Sequence, residues 1–256
     1  MKIATWNVNS IRARRERALA FLERHSPDVL CLQELKVTDA AFPVDDFVAA
    51  GYRALTHGQK TYNGVAILAR TEPEVVVAGL DDGVDDPQAR LVAASVMGVR
   101  ILSAYFPNGS SPDSPKYEYK LAWMSRLRNY LDRRHRADEH LVLCGDFNVA
   151  IDDLDIARPE EWRDTVLTTS AVRDALNHIA GFGLVDVVRR HHPEGGPLTW
   201  WDYRQLAFPK GKGLRIDHVF ATGALAERCS AAFVDRDERK GQSPSDHAPV
   251  LAVFDV

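Results

Sequence analysis

Cysteine is scarce: the 256 residues hold only Cys31, Cys144 and Cys229, far apart and each in an apolar run. That excludes a disulfide framework or a cysteine-built zinc site and fits buried thiols of a reducing compartment. No run approaches the ~20 apolar residues of a membrane helix, so no membrane is expected as a partner. The 16 Gly and 13 Pro are scattered, and no tract reads as a linker or a repeat. Disordered and fibrous classes are thereby excluded, and a single domain over residues 1–256 is expected. Neither sign of charge dominates: 32 Lys and Arg against 36 Asp and Glu leave −4. A bulk polycation is ruled out, while a local basic face is not. Phosphate-binding glycine loops of the G-x-x-x-x-G-K-[ST] and G-x-G-x-x-G types are missing, so no nucleotide cofactor is expected. Ser245-Asp246-His247 cannot form a serine triad locally, because neighbours in an extended segment alternate faces, and no G-x-S-x-G elbow exists. The chain starts directly on a strand-like pattern rather than a signal peptide, which leads us to expect a cytoplasmic protein.

What is present is a mixture of short β-branched runs and amphipathic helices. Ile3–Val8, Val29–Gln33, Gly64–Ala69, Glu74–Ala78, Leu91–Met97, Arg100–Phe106, Leu141–Cys144, Ile216–Ala221 and Pro249–Phe254 read as strands, several apolar on both faces. A helix capped by Ser10 carries Ile11, Ala18, Leu19 and Leu22 on one face. Pro115 opens a second with Tyr117, Leu121, Met124, Leu127 and Leu131, and Ser170 a third that ends at Gly181 or Gly183. The class is α/β with layered sheets.

Polar residues fall at the ends of these strands. Asn7 interrupts the first and Asn9 follows it; Glu34 ends the second. Tyr105 and Asn108 follow Ile101–Ala104, Asp146 and Asn148 follow Leu141–Gly145, Asp217 lies within Arg215–Val219, and Asp246-His247 precede the last strand. Asp and Asn favour turns, which accounts for any one of them. It does not account for five strand ends together, or for an acid inside an apolar strand. Carboxylate and amide oxygens suit Mg²⁺, with Mn²⁺ able to substitute, and the absence of paired Cys or of His at i, i+4 argues against Zn²⁺. A divalent ion among these acids would let a phosphate approach, and an Asp could deprotonate water for in-line attack. Metal-assisted phosphodiester hydrolysis is the chemistry this set serves.

The blocks that carry these residues resemble a known family. Trp6-Asn7-Val8-Asn9-Ser10-Ile11-Arg12, Leu32-Gln33-Glu34-Leu35-Lys36, Asn63-Gly64-Val65-Ala66-Ile67 and Tyr105-Phe106-Pro107-Asn108-Gly109 are followed by Gly145-Asp146-Phe147-Asn148, Leu214-Arg215-Ile216-Asp217 and Ser245-Asp246-His247-Ala248-Pro249. In that order they are similar to the exonuclease III family of abasic-site (AP) endonucleases, in the endonuclease/exonuclease/phosphatase superfamily. The resemblance implies a four-layer α/β sandwich, two packed sheets flanked by helices, with the site at one end between them. It implies Glu34 as principal Mg²⁺ ligand, with Asn7 and Asp246 contributing and Asn9 lining the site; some relatives have Asp at that position. Asp146 would activate the attacking water, Asn148 would hold water and phosphate, His247 paired with Asp217 would contact the phosphate, and Tyr105 and Asn108 would bond the scissile group. DNase I-like nucleases and lipid or inositol phosphatases typically carry a His where this chain has Tyr105-Phe106-Pro107-Asn108, which favours DNA repair.

The same resemblance places Trp200, Leu214 and Ile216 around an apolar pocket for a baseless sugar and makes Asn9, Arg204, Lys210, Lys212 and Arg215 candidates for contact with DNA. Arg126–Arg136 reads as a solvated helix face. The implied activity is a monomeric Mg²⁺-dependent AP endonuclease acting on duplex DNA with abasic or 3′-blocked sites. It would cut 5′ to the lesion to leave a 3′-hydroxyl, with 3′→5′ exonuclease and 3′-phosphatase activity besides. Three alternatives stay open: an enzyme that is primarily a 3′→5′ exodeoxyribonuclease, a phosphodiesterase or phosphatase for a small phosphate, and an inactive DNA-binding module.

Overall fold

The computed structural model describes residues 1–256. Its twelve strands form two six-stranded sheets. The first runs β11 (Cys229–Val234), β12 (Val250–Phe254), β1 (Lys2–Asn7), β2 (Val29–Gln33), β4 (Val65–Ala69), β3 (Arg53–His57). The second runs β5 (Glu74–Ala78), β6 (Leu91–Val96), β7 (Val99–Tyr105), β8 (Leu141–Asp146), β10 (Asp217–Thr222), β9 (Leu184–Asp186). Each sheet is mixed, with one parallel pair, β1–β2 and β7–β8. Parallel neighbours need a crossover, and α1 (Ile11–His25) and α3 (Pro115–Arg134) supply it. Shorter helices, α2 (Val44–Ala49), α4 (Pro159–Trp162), α5 (Ser170–Ala180), α6 (Val187–His191) and α7 (Gly223–Ala226), complete the chain.

Strand alternation explains the four layers. Along β2, Val29 and Cys31 face the other sheet, meeting residues such as Ile101, Val142 and Cys144. Leu30 and Leu32 point the opposite way, onto Ile11, Ala18, Phe21 and Leu22 of α1. In the second sheet Leu102 and Leu143 turn outward onto Trp123, Met124, Leu127 and Leu131 of α3 and Val172, Leu176 and Ile179 of α5. A strand covered on both faces is largely apolar, which is why the central runs lack polar alternation; of the few buried polar side chains, Thr5, Gln33 and Ser103 bond one another.

Three strands escape the sequence pattern. β3, β9 and β11 are all edge strands; β3 and β9 are short with few apolar residues, and β11 is a mostly small-residue run without clear alternation. Ser10 does not cap α1: its φ is +89° and its side chain makes no cap bond. Its N–H instead donates to the Glu34 carbonyl (2.8 Å), which ties the helix start to the end of β2. Ser114, however, does cap α3 through the Tyr117 N–H, with Pro115 in the first turn.

Register brings the polar ends together. Asn7 lies opposite Gln33 in the β1–β2 pair, and Tyr105 lies opposite Asp146 in β7–β8. Antiparallel β10 begins at Asp217, also opposite Asp146. β12 runs antiparallel to β1, so His247, just before it, arrives at the same end. Gly145 makes the β7–β8 approach possible, since a Cβ there would lie 1.8 Å from the Ala104 carbonyl oxygen.

Candidate active site

At the shared end of the two sheets the strand-end side chains bond to one another. Asn7 donates from Nδ2 to Glu34 Oε1 and to Asp146 Oδ2, both at 2.8 Å. Tyr105 donates its hydroxyl to Glu34 Oε1 (3.1 Å), and Lys36 pairs with Glu34 Oε2 (2.8 Å). Asp146 Oδ1 accepts from the Asn148 N–H at 2.9 Å. Asn148 Nδ2 donates to the Phe106 carbonyl, while its Oδ1 accepts from Asn108 Nδ2 at 3.0 Å. His247 Nδ1 lies 2.8 Å from Asp217 Oδ2, and Nε2 faces Asp146 Oδ2 at 3.7 Å. Asn9, Glu34, Lys36 and Asn148 all have positive φ, so the backbone is strained where these side chains are aimed.

Burial sets the electrostatics. It pushes the Asp146 carboxyl up to about 7; His247 works against that shift, and Asp217 and Glu34 add to it. Burial disfavours the charged ring of His247, but Asp217 and Asp146 outweigh it and raise its pKa to about 10. The Tyr105 hydroxyl is held well above its usual value by burial and by Glu34. Asp246 stays low despite its burial because His247, Trp200 and Asn9 stabilise its charge. A cationic His247 is therefore expected in the metal-free protein, with the ring protonated up to pH values near its raised pKa. Nitrogen NMR of the imidazole checks this. Asp217→Asn is expected to move the titration to lower pH; a wild-type ring already neutral at pH 7 would remove Asp217 from this role.

Carboxylates this close disfavour one another unless a cation lies among them. Oxygens of Glu34 and Asp146 and a nitrogen of His247 lie within 4.8 Å of one another. Hard carboxylate oxygens, a bridging amide and crowded negative charge fit a divalent cation, and the Lys36 ammonium already neutralises one Glu34 oxygen. Asn7 thus links Glu34 directly to Asp146, and Asp246 lines the same cavity without joining that link. Asp246 instead accepts from Asn9 Nδ2 (2.9 Å) and Trp200 Nε1 (3.1 Å). Asn9 belongs to this network, its side-chain oxygen accepting from Lys36.

Beside the carboxylates opens a cavity of about 630 Å³ whose walls include Trp162, Val166, Leu167, Trp200 and Ile216. Trp162 was not singled out by the sequence; α4 sets its ring edge-on to Trp200, with centroids 5.6 Å apart. Arg204 lies on the same rim, exposed and paired with Asp202. Lys210 is exposed. Lys212 bonds Glu161 of α4 (2.9 Å) and so ties the two rim segments together.

Two expected residues face elsewhere. Leu214 is fully buried in the core beneath the second sheet, where its backbone pairs with Trp200, so its side chain does not line the cavity. Arg215 is also fully buried, held by Asp155 and Asp186 at 2.6 and 2.7 Å, so it cannot reach DNA. Of these three consecutive residues only Ile216 lines the cavity. Trp201, unlike Trp200, is core: it packs on Phe208 with the guanidinium of Arg236 over its ring.

Known proteins share this arrangement over its whole extent. Residues 4–247 match the Endonuclease/Exonuclease/phosphatase family. Exodeoxyribonuclease III of Haemophilus influenzae is 35% identical, covering 99% of this chain and all of that protein. An AP endonuclease structure from Archaeoglobus fulgidus superposes with a TM-score of 0.97 at 42% identity, and a Neisseria 3′-phosphatase bound to a product DNA hairpin with 0.96 at 42%; each comparison covers both chains completely. A Neisseria meningitidis 3′–5′ exonuclease matches equally well, with 0.96 at 43%. Sequence and fold thus match over essentially the whole chain, and the chain belongs to the endonuclease/exonuclease/phosphatase family, in its exonuclease III branch of AP endonucleases.

Proposed function

We propose that this protein is a Mg²⁺-dependent DNA-repair nuclease that hydrolyses the phosphodiester 5′ to an abasic site and leaves a 3′-hydroxyl. It works as a cytoplasmic monomer and also removes 3′-terminal groups. The observation that carries this reading is a buried Asp146 facing the His247–Asp217 pair across the mouth of an apolar-walled cavity. Glu34 and Asn7 would hold the metal, with Asp246, on the wall of the same cavity, contributing. Bound there, it would polarise the phosphate and stabilise charge on the departing oxygen.

The side chains divide the remaining work. Asp146 accepts a proton from water, and Asn148 keeps its carboxylate aimed through the backbone bond to Oδ1. His247, cationic and oriented by Asp217, donates to a non-bridging phosphate oxygen. Tyr105 and Asn108 present donors to the same group. Trp200 and Ile216 accept a sugar without a base, and Arg204 and Lys210 face the duplex from the rim.

A second reading, primarily a 3′-phosphatase and 3′→5′ exonuclease, is favoured by the two Neisseria neighbours. One assay separates the readings: a 5′-labelled duplex with a single tetrahydrofuran site and a 3′-recessed undamaged control, each with Mg²⁺ or EDTA. A single Mg²⁺-dependent cut 5′ to the analogue is expected. A ladder on the control without that cut would establish the second reading. No product on either would overturn both and leave a small phosphate as substrate.

A further inference from the structure

Lys120 lies on the buried face of α3, three residues after Tyr117 and three before Trp123. Its side chain is wholly buried, yet it touches no carboxylate. Nζ donates instead to three backbone carbonyls, of Asn108 (3.1 Å), Asn148 (2.7 Å) and Val166 (2.6 Å). An ammonium offers three N–H groups and a neutral amine only two, so three acceptors match the charged form. Burial pulls the pKa down to about 7, and the Asp146 carboxylate opposes that shift.

Those carbonyls belong to three separate segments. Asn108 follows β7, Asn148 follows β8, and Val166 is part of the cavity wall. Each segment is irregular, so no strand or helix ladder holds it. Asn148 turns through the left-handed region at φ +51°, at the point where the chain leaves β8. Gly109, at φ +100°, packs against the lysine stem, where a Cβ would come within 3.2 Å of Lys120 Cδ. The side-chain bond between Asn108 and Asn148 then depends on two backbones that share one cation from below.

We propose that Lys120 is a positioning residue for phosphodiester hydrolysis, its buried side chain joining the Asn108, Asn148 and Val166 backbones so that the two asparagines and the cavity wall keep one arrangement. It acts through those residues and does not touch the substrate. The role rests on Asn108 and Asn148 serving the phosphate, as read above.

A double-mutant cycle tests it, with Lys120→Met, Asn148→Ala and the double variant assayed on a 3′-recessed duplex in Mg²⁺. Lys120→Met is expected to lower kcat by at least about 30-fold with KM within about 3-fold, while thermal unfolding stays cooperative. In the Asn148→Ala background the same change is expected to cost less than about 5-fold, because the group it positions is gone. Full additivity, or a kcat within 3-fold of wild type in folded Lys120→Met, would overturn the role. Near-wild-type turnover in Asn148→Ala alone would overturn the reading of the asparagines instead. If Lys120→Met does not fold, Lys120→Gln, which retains two donors, takes its place in the cycle with the same criteria.

Discussion

Asp146→Asn is expected to reduce single-turnover cleavage by about 10²–10⁴-fold, the range a general base contributes, while fold and DNA affinity persist. Asparagine has nearly the shape of aspartate, so the packing around a residue that is only 1% exposed is retained. One of its two polar atoms can still accept, from Asn7 or from the Asn148 N–H. What disappears is the ability to take a proton and one of the three charges that raise the His247 pKa. The His247 cation is therefore weakened by the same change, which adds to the loss. DNA affinity does not fall, because a negative charge is removed from a site that receives a phosphate. Fluorescence anisotropy with labelled DNA, beside single-turnover kinetics, checks both halves. Turnover near wild type would remove Asp146 from the water-activating role.

The second large effect is expected at Glu34. Glu34→Gln should raise the Mg²⁺ concentration for half-maximal rate by about 10–100-fold, the scale on which even outer-sphere changes alter metal affinity. Glu34 spends one oxygen on Asn7 and Tyr105 and the other on Lys36. The amide keeps the volume but not the charge, and its NH₂ must face one of these donors. A metal titration at fixed DNA reads the shift, and much of the rate should return at saturating metal. An unchanged midpoint would show that the ion is held elsewhere, with Asp246 the next residue to test.

Much of this site was legible along the chain because strands end where their apolar runs end. Asn7, Glu34, Tyr105, Asp146 and Asp217 each punctuate such a run, so type and position could be read locally. Lys120 also left a trace, a charge on the apolar stripe between Tyr117 and Trp123, but a solvated lysine would look the same. Trp162 left none. It sits on a four-residue helix in an irregular connection, and its place against Trp200 follows from the fold of a loop. Leu214, Arg215 and Ile216 show the opposite limit. Leu214 and Ile216 were expected at a sugar pocket and Arg215 at DNA, yet only Ile216 lines the cavity, while Leu214 is core and Arg215 sits in a buried ion pair.

By itself the sequence determined the layered α/β class, most of the strands and the chemical character of the site. These depend on periodicity and on residue type, which short segments carry within themselves. Tertiary structure alone decided which carboxylate lies beside Glu34 and Asn7, which basic residues are tied up in buried ion pairs, and which aromatic rings meet at the cavity. Each of those is a distance between groups remote in the chain: Asn7 to Asp146, Asp155 to Arg215, Trp162 to Trp200. Such distances follow from strand register and the packing of two sheets, and no local propensity encodes them.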